Sequence, residues 1–151
     1  MFNVRRIVVP TDFSDISLTA FEYARSLAEQ YSAKIYIVYV MDKTPPFLAL
    51  RTLDVTEEKV MESMQEKATE SLEEILDRLR LSTDVEIEGT LRKGVDYEEI
   101  TGYANEIGAD LIVIATHGRT GVIHSLMGSV AEKVIRYSKI PVLVTTPANA
   151  E

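Results

Sequence analysis

D-L-I-V-I-A-T-H-G-R-T-G-V-I-H-S-L-M-G-S-V-A-E-K-V-I-R-Y-S-K-I-P-V-L-V-T-T-P, residues 110–147, is the stretch on which the fold turns. Leu111 to Ala115 is an unbroken apolar run rich in β-branched residues, the pattern of a strand buried on both faces. A loop follows over residues 116–128, with glycines at 118, 121 and 128. Ser129-x-x-Glu132 then has the form of a capping box with Ser at the N-cap, and predicts a helix with Val130, Val134 and Ser138 on one side. Pro141 ends that helix, and residues 142–146 read as another strand. A buried strand thus leads through a glycine-rich loop to a helix N-terminus. Anions bind well at such a place, because first-turn N–H groups have no intrahelical partner and the helix dipole is positive there. Taken alone, Gly128-Ser129 reads as a bend followed by a cap.

Composition bounds the rest. At 151 residues, 46% of them hydrophobic, the chain reads as one domain (1–151), able to bury a core without metal or disulfide. It has no cysteine, so a disulfide framework, a thiolate metal site and a thiol nucleophile are all excluded. That agrees with a reducing compartment, and a cytoplasmic location is expected. The apolar segment before Asp12 is too short for a signal-peptide core, and nothing approaches the length of a membrane span, so no membrane partner is expected. A net charge of −8 without a Lys/Arg stripe argues against a nucleic-acid partner, though a small site can be locally positive.

In chain order, residues 4–10 read as a first strand centred on Ile7-Val8-Val9, with Pro10-Thr11-Asp12 at its end. Ser14 is the expected N-cap of a helix to Tyr31 whose Ala20, Ala24, Leu27, Ala28 and Tyr31 share a face. Residues 34–40 form a second buried strand. Residues 41–56, with Pro45-Pro46, read as a mobile loop placed to cover a site. Asp54-x-x-Glu57 is the expected cap of a long helix striped by Val60, Met64, Ala68, Leu72, Ile75, Leu76 and Leu79. Residues 85–91 alternate cleanly, as suits an edge strand. Asp96-x-x-Glu99 is expected to cap a third helix bearing Ile100, Ala104 and Ile107, stopped by Gly108. Strand and helix alternate four times and a fifth strand closes the chain, which is α/β with a parallel sheet.

The spacing Gly118, nine residues, then Gly128-Ser129, directly after a buried strand, resembles the universal stress protein family. Nucleotide-binding members carry Gly-x2-Gly-x9-Gly-(Ser/Thr) there. Here the pattern reads Ala115-x2-Gly118-x9-Gly128-Ser129, so the later glycines and the serine match and alanine replaces the first glycine. The resemblance covers about residues 3 to 147. It implies a Rossmann-like five-stranded sheet ordered 3-2-1-4-5, with helices on both faces. The topology then reverses between strands 1 and 4, and ligands sit beyond the carboxyl ends of strands at such a switch point.

The family's site, carried over, places Asp12 and the backbone near Val40 at an adenine ring. Pro10, Thr11 and the Ala115 region come at the strand ends along the ribose, and Gly118, Arg119, Gly128, Ser129 and Val130 surround the phosphates. The implied ligand is ATP, or AMP or ADP, of micromolar affinity, with Mg2+ or Mn2+ held through the phosphates; metal-binding residues are not assigned. At Ala115, a φ below zero would cost nothing and a φ above zero about 1 kcal/mol, and the methyl could narrow the ribose side. The family also implies a homodimer made by pairing the last strands, here 142–146, an apolar edge without lysine or internal proline to blunt it.

Asp12 also reads as a cap or turn residue, and His117 and His124 as incidental. Hydrolysis needs a water and an oriented base, for which Asp12 and His117 are the nearby candidates, so slow hydrolysis or none is expected. A receiver-like phosphoacceptor would need a lysine after the fifth strand, where Thr145-Thr146-Pro147 stands. An interaction protein on the same fold, binding no nucleotide, stays open.

Overall fold

The computed structural model describes residues 1–43, 56–117 and 127–146. In chain order the elements are β1 (Arg6–Pro10), α1 (Asp15–Tyr31), β2 (Lys34–Met41), α2 (Glu57–Leu81), β3 (Ile87–Lys93), α3 (Asp96–Glu106), β4 (Leu111–Ala115), α4 (Ser129–Tyr137) and β5 (Val142–Thr145). The strands form one parallel sheet in the order β3-β2-β1-β4-β5. This is the α/β architecture expected.

Strand alternation builds two cores. Ile7, Val9, Ile35, Ile37 and Val113 pack under α1 and α2 with Phe21, Leu72 and Leu76. Val8, Val38, Ile112 and Ile114 point the other way, against Ile100 and Ala104 of α3 and Ala131 and Val134 of α4. Each inner strand therefore buries both faces, which is why its sequence reads as an apolar run rather than an alternation. The α2 stripe is buried at Val60, Ala68, Leu72, Ile75, Leu76 and Leu79.

Several boundaries differ from the sequence reading. Val4 is buried but precedes the β1 ladder, and β3 starts at Ile87 and runs on to Lys93. Ser14 caps α1 as expected, accepting from the Ser17 N–H at 3.1 Å. The other three caps move. Thr56, not Asp54, caps α2 by accepting from the Lys59 N–H at 3.3 Å. Val95 stands at the N-cap of α3, and Asp96 turns its carboxylate to the next N–H, Tyr97, at 2.6 Å. Gly128, not Ser129, is the N-cap of α4. Gly108 ends α3 with φ 62°, a conformation that favours glycine. Of the covering loop expected over residues 41–56, Met41 belongs to β2 and residues 44–55 lie outside the described residues, as do 118–126 and 147–151.

Candidate functional site

Sheet topology opens the site. β1 pairs with β2 over five residues but with β4 only at Ile7↔Leu111 and Val8↔Ile112. Beyond Pro10 the chain leaves for α1 on one face, and beyond Ala115 it runs toward α4 on the other. Between the two exits lies a cavity of about 310 Å³. Pro10, Thr11, Asp12, Val40, Ala115, Gly128, Ser129 and Val130 all line it, so eight expected residues from four elements come together. Gly118 and Arg119, the other two, lie outside the described residues. A second hollow, of about 460 Å³, lies near the amino ends of β2 and β3, where Glu86 and Glu88 hold Lys34 at 2.7 and 2.9 Å and raise its pKa. It shares no residue with the crevice.

The turn after β1 is a hydroxyl network. Thr11 donates its N–H to the Val38 carbonyl at 2.9 Å, and its buried hydroxyl lies 3.0 Å from that of Ser17. Phe13, at φ 68°, donates its N–H to Thr11 Oγ1 at 3.0 Å. A left-handed phenylalanine is strained by about 1–2 kcal/mol; its ring stacks on Tyr39 with centroids 4.2 Å apart, a contact that offsets part of this. Asp12 Oδ1 accepts from the Ser14 N–H at 3.0 Å and from the Ser14 hydroxyl at 2.5 Å. The turn role expected of Asp12 is filled, and the residue also lines the cavity. Ser14 caps the helix in its place.

At the tip of β2 the ladder runs out. Lys34 donates to Arg5 and Val38 accepts from Thr11, so even-numbered residues of β2 bond toward β1. Ile35 donates to Glu86 and Met41 accepts from Gly94, so odd-numbered ones bond toward β3. Val40 is even, and β1 has ended at Pro10. Its N–H and C=O therefore point into the crevice with no strand opposite.

At the other end stands α4. Gly128 takes extended φ −69°, ψ 152° and donates its N–H to the Thr116 carbonyl in a very short contact. A Cβ at this position would collide with that oxygen, so only glycine lets the two backbones meet. The first helical bond runs from Glu132 N–H to Gly128 C=O at 3.0 Å, which leaves the N–H groups of Ser129, Val130 and Ala131 in the unpaired first turn. Ser129, freed from capping, is exposed on the cavity wall. Ala115 has no positive φ, so it does not strain the strand, and it belongs to the core under α1 while also lining the cavity.

Sequence reasoning missed Ser17, Val38, Tyr39, Asp96, Ile100, Ile114, Thr116 and Ala131, and it set aside His117; all line the cavity. His117 Nδ1 lies 3.0 Å from the Thr116 hydroxyl. The described lining carries two carboxylates, Asp12 and Asp96, and neither lysine nor arginine. Behind it, Arg92 of β3 bonds Glu99 and Glu106 of α3 at 3.1 and 3.0 Å and sits over the Tyr103 ring, clamping α3 beside β2 and β3. The bond to Glu99 chiefly raises the Arg92 pKa, and burial raises that of Tyr103. No group of three or more His, Cys, Asp or Glu able to hold a metal occurs among the described residues, and none of their helices is long and apolar enough to cross a membrane.

Known proteins match the sequence and fold of this chain. The profile of the Universal stress protein family matches residues 3–146. Universal stress protein MJ0531 of Methanocaldococcus jannaschii is 37% identical over 147 residues, covering 97% of this chain and 85% of that protein. Among solved structures, MJ0577, a universal stress protein of the same organism, superposes with a TM-score of 0.81 at 26% identity, covering 97% of this chain and 99% of that one. A universal stress protein crystallised in complex with cAMP superposes with a TM-score of 0.70 at 27% identity, over 97% and 99% of the two chains. Family profile, sequence relatives and fold agree: the chain belongs to the universal stress protein family.

Proposed function

We propose that this chain binds an adenine nucleotide, ATP with Mg2+ or Mn2+, in the crevice between β1 and β4, and acts as a stress-response or regulatory domain. The observation that carries the reading is the pairing of two open backbone sites in one cavity. Val40, at the tip of β2, offers an N–H and a C=O to a base edge, and the first turn of α4 offers N–H groups and the Ser129 hydroxyl to phosphate. β2 and β4 lie on either side of β1, two strand spacings or about 10 Å apart. That separation suits a base and its first phosphate at opposite ends of one ligand. Val38, Ile100 and Ile114 supply an apolar floor between them. The cAMP complex supports the reading, since it places an adenine nucleotide on a relative of the same fold.

The divalent ion would be held mainly by the phosphates, whose charge it offsets near Asp12. Hydrolysis is slow or absent in this reading, because Asp12 Oδ1 is engaged by Ser14 and the described lining offers neither lysine nor arginine to a phosphate. Two copies pair through β5, one of the two outer strands of the sheet.

Thermal unfolding with 1 mM nucleotide tests the function. At about 10 μM affinity, ATP would add about 2.7 kcal/mol, which is a rise in Tm of roughly 5–10 °C for a chain of this size. GTP should give a smaller rise. Equal melting with and without ATP would favour an interaction protein that binds no nucleotide.

A further inference from the structure

We propose that Asp96 determines base specificity in this crevice by accepting a hydrogen bond from the exocyclic amine, so that 6-amino purines are favoured over 6-oxo purines. The inference rests on the nucleotide reading above and names a residue that the glycine-motif spacing does not reach. α3 begins at Asp96, and the turn before it is tied to the tip of β2 by the bond from Gly94 N–H to Met41 C=O at 2.9 Å. One helical turn on, Ile100 is 3% exposed and lines the same cavity as Asp96 and Val40. Asp96 therefore stands near the tip of β2, while the next residue, Tyr97, stacks on Tyr137 of α4.

The first turn of α3 holds three acids that suit the helix dipole, but they are not equivalent. Glu99 is bonded by Arg92 and Glu98 accepts from the Tyr97 hydroxyl, whereas Asp96 alone of the three lines the cavity. Its Oδ1 is fixed by the Tyr97 N–H at 2.6 Å, and its Oδ2 takes no hydrogen bond among the described residues. An ionised carboxylate can only accept. A 6-amino group has two hydrogens, one for the Val40 carbonyl and one for Asp96. A 6-oxo group would set its lone pairs against the carboxylate and leave both acceptors unpaired.

Calorimetric titration of the wild type, Asp96→Asn and Asp96→Ala with Mg-ATP and Mg-ITP tests this, because the two ligands carry the same phosphates and ribose. The Asn variant keeps an oxygen for the Tyr97 N–H, and melting curves report the fold of both. The expected result is a wild-type preference for ATP that falls about tenfold in each variant, with Asn also improving ITP through its amide donor. The Val40 backbone contributes equally in all three proteins, so the change in the ratio belongs to Asp96. An unchanged ATP/ITP ratio, or equal losses for both ligands, overturns the role of Asp96 while wild-type ATP binding leaves the nucleotide reading standing. No ATP binding by the wild type overturns both.

Discussion

At Gly128 a single missing Cβ decides how two segments meet. The residue donates to the Thr116 carbonyl so closely that any side chain would strike that oxygen. A substitution there disturbs the backbone before it disturbs a ligand. Gly128→Ala is expected to lower stability by about 1–3 kcal/mol in urea denaturation. Ser129→Ala is the complementary change: the hydroxyl is exposed and caps nothing, so stability should hold while ATP affinity falls about tenfold or more with the loss of one bond to a charged group. Unaltered affinity in Ser129→Ala would remove the hydroxyl from the site. Residues such as Asp12 and Ala115 were legible in the sequence because they stand at the ends of the first and fourth strand patterns. Ser17, Asp96 and Ile100 were not, since they reach the cavity from the helices α1 and α3. The signal that could have found Asp96 was topological: in a sheet ordered β3-β2-β1, the turn leaving β3 lies beside the tip of β2.

Among the elements, strands and helices followed from apolar periodicity, while their first residues did not. Three S/D-x-x-E patterns suggested caps at Asp54, Asp96 and Ser129, and the caps stand at Thr56, Val95 and Gly128. The box pattern names compatible side chains, but the cap is the residue whose φ and ψ are still extended, and that is fixed by where the preceding chain enters. For Gly128 the entry point is the Thr116 carbonyl, which no local pattern reveals.

β5 carries a prediction at this same scale. Pro141 and Thr145 accept from Ile112 of β4 and from Thr116 just beyond it, so odd positions of β5 serve the internal ladder and the N–H groups of Val142 and Val144 point off the edge. Leu143 is 37% exposed, and Ile135 of α4 is 42% exposed. Val144→Pro would remove an outward donor without taking a bond from β4. Sedimentation should show a wild-type dimer and a variant that is monomeric or aggregated. A wild type that sediments as a monomer at micromolar concentration would count against pairing through β5.

For the whole molecule, alternation of strands and helices was enough to call a parallel α/β sheet, but the strand order came from the family resemblance, because pattern does not encode which strands lie side by side. That order matters most for function: it splits β1 from β4 and puts the Val40 backbone and the α4 N-terminus into one cavity. A net charge of −8 opposes an anionic ligand at long range, yet salt at cellular strength screens such repulsion beyond about 8 Å, so local donors decide the outcome. Isothermal titration of the wild type with ATP, with and without Mg2+ and against GTP, measures that outcome directly. The expected result is one site per chain, a dissociation constant in the micromolar range for Mg-ATP and weaker binding of GTP. A folded protein that gives no heat of binding up to millimolar ATP would contradict it.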